Sequence, residues 1–381
     1  MRYGSVIFAA SLALMATTSC AVSAQYAWVG TYPPNGEGIY RFQVNPADGA
    51  LSDKTLVSRQ LSPAQMTIDA QGKTLYVASE SEKGVVVAYA IARDGSLKIR
   101  NQVSSQGAGP VYLSLTPDGK FLLVANYNSG SIAVLPVQAD GRLSEAIDAR
   151  QHQGPAGATK PAAAVEGSFA ISDHNGPHAH MIASDPSGRF VFSTDLGLDR
   201  IWQYRLSHNG KLQANQPAWI AASSAGAGPR HFVFHPDGKS LYLINEEAST
   251  LTHYLLNSDT GTLSERATVS ALPAGYKGTS FAAGLVMDKA GRNLWVANRL
   301  HNSIAHFAIA PDGSLSHKDD VWTRGDYTRT LSLSADGRTL YAVNQRSDNI
   351  TRFRVDPASG VLSFSGDYTA VGAPSQLVFT P

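Results

Sequence analysis

The chain has 381 residues, which is enough for one large domain or two of ordinary size. Charged residues make up 16% of it and the formal net charge is +1, so nothing in the balance points to nucleic acid or an acidic membrane surface as a partner. The 34 glycines and the 9% of aromatic residues are typical of a protein with many short strands and tight turns.

The N-terminal segment, residues 1–24, has the pattern of a secretory signal peptide. Arg2 gives a positive start, residues 6–16 form an apolar run too short to span a bilayer, and Val22-Ser23-Ala24 supplies the small residues of a cleavage site. We therefore expect a secreted or periplasmic protein without a membrane span. A buried N-terminal helix is the alternative interpretation of the apolar run.

The sequence has one cysteine, Cys20, and it lies inside this segment. Ser19 before it makes a lipid anchor an alternative to release, although Thr17 stands where a lipoprotein signal usually has Leu. After cleavage the chain has no thiol. That excludes disulfides, thiolate catalysis and metal sites built from cysteine.

Two glycine turn signals recur along the rest of the chain and predict an internal repeat. Asp-Gly and Asn-Gly pairs in these signals supply the positive φ angles that tight hairpin turns need. The first signal, between the first and second strands of a unit, occurs at Gly72, Gly119, Gly188, Gly238, Gly291 and Gly337. The second, between the third and fourth strands, occurs at Gly49, Gly95, Gly141, Gly210, Gly261, Gly313 and Gly360.

The unit is predicted to be an antiparallel four-stranded sheet, because the runs between the turns are short, apolar and β-branched, as in residues 121–126. Such a sheet cannot bury both faces alone, so seven units should pack face to face in a ring. The predicted fold is all-β: one seven-bladed β-propeller domain over residues 25–381.

The missing copy of the first turn signal predicts how the ring closes. The first unit starts in its second strand, at residues 27–31, and its first strand is found at the other end of the chain, at residues 375–379. Pairing of the two termini in one blade would hide the sheet edges that an open array exposes.

One interval between turn signals, from Gly141 to Gly210, is about half as long again as the two before it. The excess lies in about residues 150–176, which are rich in Ala, Gly and Pro. A long loop of this kind is either functional or a disordered embellishment. We favour a functional loop, because histidines follow it directly.

The start of each first strand and the end of each second strand should share one rim of the channel, since they are neighbours in an antiparallel hairpin. Polar side chains collect at this rim, which is a usual place for a small-molecule site. We predict catalytic roles for His180, Arg230, Glu246 and Arg299. We predict substrate binding by His178, His231, Asp195, Asn126, Arg329 and Gln376.

Several of these residues have a second interpretation. His178 and His180 could hold zinc, although we expect neither a metal nor a cofactor. Arg230 could form a structural salt bridge with Glu246, which is compatible with function. Glu246 follows an apolar strand, so we expect burial to raise its pKa. Asn126 and its equivalents in other units could be turn or cap residues.

Other motifs are missing from the sequence. It has no Gly-x-Ser-x-Gly elbow, no His-Glu-x-x-His, no phosphate-binding loop and no dinucleotide glycine fingerprint.

The order of the motifs resembles the seven-bladed lactonase family, which contains the propeller-type 6-phosphogluconolactonases and the fungal carboxymuconate lactonising enzymes. The resemblance lies in the seven units and in the motifs at residues 176–180, 195–200, 228–231 and 245–246. It implies metal-independent opening or closing of a lactone ring. It also implies functional roles for His180 (or His178), Arg230, Glu246 and Arg299.

This resemblance makes a lactone the expected partner and a lactone hydrolase the expected protein. We also expect the protein to be a monomer. A signal peptide argues against a phosphorylated sugar lactone, which is a cytoplasmic metabolite. Two alternatives stay open. One is a lactonising cycloisomerase. The other is a non-catalytic binding propeller, because residues 121–137 also resemble the Tyr-Val-Thr-Asn repeats of bacterial surface propellers.

The predicted signal peptide leads to a direct test. Protein expressed in an exporting host should begin at Gln25, because cleavage follows the small residues at positions 22–24. Mass spectrometry of the intact protein checks this. A retained Met1 or a diacylated Cys20 would contradict the prediction.

Overall fold

The computed structural model describes Met1, residues 25–162, residue 166 and residues 173–380. Cys20 and the predicted signal peptide, apart from Met1, lie outside the described residues. Within these limits the chain is all-β and contains no helix, hence none that is long and apolar enough to cross a membrane.

Twenty-eight strands form seven four-stranded antiparallel sheets, which are the predicted blades. Blade 1 contains β28 (Pro374–Phe379), β1 (Gln25–Thr31), β2 (Ile39–Val44) and β3 (Leu51–Ser58). Blade 2 contains β4 (Pro63–Ile68), β5 (Thr74–Ser79), β6 (Val85–Ile91) and β7 (Leu97–Ser104). Blade 3 contains β8 (Pro110–Leu115), β9 (Phe121–Asn126), β10 (Ser131–Pro136) and β11 (Asp148–Gln151). Blade 4 contains β12 (Ala179–Ser184), β13 (Phe190–Asp195), β14 (Arg200–Leu206) and β15 (Leu212–Ala221). Blade 5 contains β16 (Pro229–Phe234), β17 (Ser240–Asn245), β18 (Thr250–Asn257) and β19 (Thr262–Ser270). Blade 6 contains β20 (Phe281–Met287), β21 (Asn293–Arg299), β22 (Ser303–Ile309) and β23 (Leu315–Trp322). Blade 7 contains β24 (Thr328–Leu333), β25 (Thr339–Asn344), β26 (Asn349–Val355) and β27 (Leu362–Ala370).

The chain termini close the ring in blade 1, as the sequence predicts. Strand β28 pairs with β1 in antiparallel register, with Leu377 opposite Val29. The turn glycines also behave as predicted. Gly238 of the first set has φ 66° and Gly95 of the second set has φ 75°, a region that other residues enter only at a cost.

The hydrophobic core is divided among the seven spaces between neighbouring blades. The second strands are buried on both faces, and β5, β9, β13, β17, β21 and β25 are buried along their whole length. This double burial explains why their sequences are continuous apolar runs rather than alternating ones.

An aromatic side chain on the second strand fixes each blade to the outer turn of the next. Five of these aromatics donate a hydrogen bond to the carbonyl of the turn glycine; the pairs are Trp28–Gly95, Tyr76–Gly141, Tyr242–Gly313, Trp295–Gly360 and Tyr341–Gly49. In the other two blades a phenylalanine ring packs on the glycine instead, Phe121 on Gly210 and Phe190 on Gly261. A Cβ at Gly261 would lie 2.0 Å from the Phe190 ring, so this turn needs glycine for space as well as for φ.

We expect Tyr242→Phe to lower the free energy of unfolding by about 1–2 kcal/mol, because it leaves the buried Gly313 carbonyl without its donor and keeps the ring. Chemical denaturation measures the loss. Tyr368→Phe is the matched control, since Tyr368 is 55% exposed, and it should change stability by less than about 0.5 kcal/mol. Equal effects in the two variants would contradict a stabilising role for the bond between blades.

Candidate active site

A β-bulge interrupts the first strand of every blade near its start. In blade 5, Pro229 pairs with Asn245 and His231 pairs with Ile244, which leaves Arg230 without a partner across the ladder. The bulge positions around the ring hold Ala64, Val111, His180, Arg230, Ala283 with Gly284, Arg329 and Ser375. Bulges re-aim side chains and are common next to active sites. Here three of them carry His180, Arg230 and Arg329.

A second set of equivalent positions directly follows the last uncharged or acidic polar residue of each second strand, Asn126 in blade 3 and Asn298 in blade 6 for example. Its members are Tyr32, Glu80, Tyr127, Leu196, Glu246, Arg299 and Gln345. In blade 5, the Glu246 amide donates to the carbonyl of Gly228, just before the first strand, which places Glu246 beside the bulge at Arg230. The two sets therefore surround one mouth of the channel.

The centre of this mouth is an ion-paired group of three side chains. Oε2 of Glu246 accepts a 2.7 Å hydrogen bond from Nε of Arg230 and lies 2.7 Å from Nη2 of Arg299. Arg230 is almost completely buried and its Nη1 also donates to the carbonyl of Ala283. Arg299 donates to the hydroxyl of Tyr327. Within the described chain, Nη2 of Arg230 and Oε1 of Glu246 make no hydrogen bond, so they remain free for a ligand.

The prediction that the pKa of Glu246 is raised was wrong. Burial alone would raise it, but the positive charges of Arg299 and Arg230 outweigh burial and the pKa is lowered. Burial also lowers the pKa of Arg230 to about 9, with Glu246 opposing the change, so its guanidinium stays charged at neutral pH. Both the salt bridge and the convergence of charges expected from the sequence are present.

His180 lies next to this group and is uncharged at neutral pH. Its ring packs edge-on against His231, with centroids 4.9 Å apart, and against Tyr127 at 5.4 Å. Burial, reinforced by the charge of Arg230, lowers the pKa of His180 well below the ordinary value, and the pKa of His231 moves the same way for the same reasons. Nδ1 of His180 is buried and has no hydrogen-bond partner in the described part of the chain. His180 can therefore accept a proton.

Arg329 lies on the other side of the mouth with Glu80 and Tyr32. The Tyr32 hydroxyl donates to Oε2 of Glu80 at 2.5 Å, and Nη2 of Arg329 is 3.8 Å from the same oxygen. The Arg329 guanidinium also lies 5.2 Å from the centre of the Tyr32 ring.

Four residues that the sequence suggests for substrate binding have other surroundings. Both oxygens of buried Asp195 are used by the fold, Oδ2 by His152 and Oδ1 by two backbone amides. Asn126 donates to the Ser105 carbonyl and is fully buried. His178 uses both ring nitrogens, with the carbonyl of Tyr127 and the side chain of Asn175. Gln376 accepts from the Met66 amide inside the channel. We therefore leave these four out of the proposed site.

The channel itself holds a cavity of about 850 Å³ that extends from Tyr112, Gln65 and Gln376 to the turns at Asp69–Gln71 and Thr116–Gly119. It opens at the rim opposite the ionic group. The ring of Tyr112, which lines this cavity, lies 5.0 Å from that of His231.

The long loop between β11 and β12 lies along the site-bearing rim wherever it is described. His152 contacts Asp195, and Asp173 accepts from the Tyr127 hydroxyl at 3.1 Å. The His174 ring lies between Glu247 and Asp199, at 3.4 and 3.7 Å. Burial alone would lower the pKa of His174, but these carboxylates raise it. The loop is therefore attached to the rim by charge, and its role in function stays a prediction.

Among the described residues, no group of three or more His, Asp or Glu side chains is arranged to hold a metal ion.

The family described as Lactonase, 7-bladed beta-propeller matches residues 26–379 of the sequence. The chain belongs to this family. The 6-phosphogluconolactonase of Bacillus subtilis (strain 168) is 29% identical over 351 residues, which cover 91% of this chain and 96% of that protein. The 6-phosphogluconolactonase of Pectobacterium carotovorum subsp. carotovorum (strain PC1) is 30% identical over 342 residues, 89% of this chain and 94% of that protein.

The chain is also similar to a solved structure of a lactonase. The periplasmic gluconolactonase of Pseudomonas aeruginosa is 31% identical and has a TM-score of 0.86, covering 94% of this chain and 99% of that one.

Sequence reasoning missed Tyr32 and Tyr327, which contact Arg329 and Arg299. Tyr32 could have been found by reading one residue past the end of each second strand, which also gives Glu80 and Glu246. Tyr327 precedes a first strand, where no repeated signal marks it.

We expect Glu246→Gln to destabilise the protein by about 3 kcal/mol at pH 7, because it leaves two buried guanidinium groups without their carboxylate. The pKa of Glu246 is lower in the folded chain, so the ionised group stabilises the fold above its unfolded value of about 4.3. That contribution is lost as the pH falls through the folded value. The difference in the free energy of unfolding between Glu246→Gln and the wild type should therefore become smaller below about pH 4.

Thermal unfolding of both proteins at pH 7 and at lower pH measures this difference. Glu145→Gln is the control, since Glu145 is exposed. A difference that stays constant down to the lowest pH at which both proteins fold would show that Glu246 is not held as a carboxylate.

Proposed function

We propose that this chain is a lactone hydrolase that opens a sugar or related lactone ring by attack of water at the channel mouth. The observation that carries the proposal is a neutral His180 next to a buried group of ion-paired arginines. Ester hydrolysis needs a base for water and positive charge where an oxyanion develops, and this group offers both. Membership of the lactonase family and relatives named 6-phosphogluconolactonase support it.

In the proposed mechanism His180 accepts a proton from water, and the water oxygen attacks the lactone carbonyl. The free Nη2 of Arg230 and the guanidinium of Arg299 stabilise the tetrahedral oxyanion. The bond between the acyl carbon and the ring oxygen then breaks, and His180 returns its proton to the ring oxygen. The product is a hydroxy acid.

Glu246 has a positioning role in this mechanism. Its carboxylate fixes both guanidinium groups, and its lowered pKa makes it a poor proton acceptor. His180 by itself is also a weak base, because an imidazolium there would be buried and would lie close to Arg230. Negative charge on the oxyanion offsets that repulsion, so proton transfer becomes favourable as the transition state forms.

We also propose that the protein acts outside the cytoplasm. The signal-peptide pattern of residues 1–24 supports this, and so does the likeness to a periplasmic gluconolactonase. A substrate without phosphate fits that location.

We expect His180→Gln to lower kcat for lactone hydrolysis by about 10²–10³-fold, because it removes the base and leaves the arginines in place. In the wild type, kcat/KM should stay level through neutral pH and fall only well below pH 6.5, since the pKa of His180 is lowered. Acid release by the purified mature protein, corrected for spontaneous hydrolysis, measures both.

His208→Gln is the control, since His208 is exposed, and it should leave the rate unchanged. An acid limb centred above pH 6.5 would assign the base to another group. Absence of hydrolysis with sugar lactones and with lactones of aromatic catabolism would favour the binding propeller.

A further inference from the structure

The polar groups at the mouth fall into two halves that differ in exposure. In blades 5 and 6, the side chains of Arg230, Glu246 and Arg299 are 1%, 8% and 5% exposed. In blades 7 and 2, the side chains of Arg329 and Glu80 are 17% and 29% exposed. The second half therefore faces the open space of the mouth, where the part of a substrate remote from the reacting carbonyl would lie.

The second half has unused hydrogen-bonding capacity. Oε2 of Glu80 accepts from the Tyr32 hydroxyl, and Oε1 has no partner in the described chain. Among the described residues, the Arg329 guanidinium makes only the 3.8 Å contact with Glu80 and the ring contact with Tyr32. Burial raises the pKa of Tyr32, so its hydroxyl stays protonated and continues to donate to Glu80. Tyr32 thus fixes the carboxylate with one oxygen free.

Gln345 supplies a further acceptor at the equivalent rim position of blade 7. The backbone N–H of Gln345 donates to the Tyr327 carbonyl, which fixes the position of its Cα. Its Oε1 is buried and has no hydrogen-bond partner among the described residues. A buried acceptor of this kind costs free energy unless a ligand or water donates to it.

The chemistry of these groups favours hydroxyls over an anion. Arg329 donates, while Glu80 and Gln345 accept, and the positive charge of Arg329 is balanced by Glu80 only 3.8 Å away. A phosphate dianion could use Arg329 but would be repelled by Glu80 and could not donate to the buried Oε1 of Gln345. Sugar hydroxyls donate and accept, so they can satisfy all three groups.

The geometry points to a hydroxyl-binding subsite, formed by Arg329, Glu80 and Gln345 and fixed by Tyr32, that takes the polyhydroxylated end of an unphosphorylated sugar lactone. This inference rests on the proposed lactone hydrolysis for the orientation of the substrate. The subsite adjoins the reaction centre, since Arg329 acts electrostatically on His180 and Arg230. It would direct the ring carbonyl towards them.

Calorimetric binding of ring-opened products tests the subsite independently of catalysis. D-Gluconate and 5-hydroxyvalerate share the carboxylate and differ in their hydroxyls. We expect the wild type to bind D-gluconate at least about tenfold more tightly, because each satisfied hydrogen-bond partner contributes up to about that factor. Glu80→Ala and Gln345→Ala should each remove most of this preference, and Glu80→Gln, which keeps an acceptor oxygen, should retain part of it. Glu82→Ala, an exposed change two residues along, is the control.

The outcomes separate the two proposals. Equal affinity of the wild type for both acids, or an unchanged preference in both alanine variants, would overturn the subsite. Binding of 6-phosphogluconate more than about tenfold tighter than D-gluconate would also overturn it and would make Arg329 a phosphate anchor. A protein that prefers D-gluconate but hydrolyses no lactone would keep the subsite and refute the proposed function.

Discussion

The structure depends on the contact between an aromatic side chain of one blade and the outer turn of the next. A blade alone leaves both faces of its second strand exposed, so it is stable only against two neighbours. The aromatic ring fills the space between blades, and its donor, where present, satisfies a turn carbonyl such as that of Gly313. Each turn therefore does two things: it reverses its own hairpin and it receives the neighbouring blade.

The repeat also explains how an almost symmetric ring holds an asymmetric site. The backbone bulge recurs in every blade, so its geometry is part of the fold and not of the function. Only the side chain at the bulge differs: it is Ala64 in blade 2 and Val111 in blade 3, but His180 and Arg230 in blades 4 and 5. Blades 4–6 thus carry the proposed reaction centre. The charged groups Arg329 and Glu80 lie on blades 7 and 2, with the neutral Tyr32 of blade 1 between them.

Charge pairing sets the chemistry of that centre. Glu246 stabilises two guanidinium groups in a place where water cannot, and they in turn lower its pKa. Burial, together with the charge of Arg230, keeps His180 neutral. The arrangement therefore stabilises negative charge that appears only in the transition state. Interactions of this kind raise the rate instead of tightening substrate binding.

The sequence by itself determined the number of blades, the closure of the ring by residues 375–379 and the gathering of His180, Arg230, Glu246 and Arg299 at one rim. These follow from local rules, since turn glycines set the hairpins and hairpins set which strand ends meet. Tertiary structure alone decided the rest. Asp195 and Asn126 lie one residue before the mouth-facing position and point into the fold, because side chains alternate along a strand. The pKa of Glu246 is lowered and not raised as expected, because Arg299 of the neighbouring blade lies within 2.7 Å of its carboxylate. That distance is a property of blade packing, and no repeat signal encodes it.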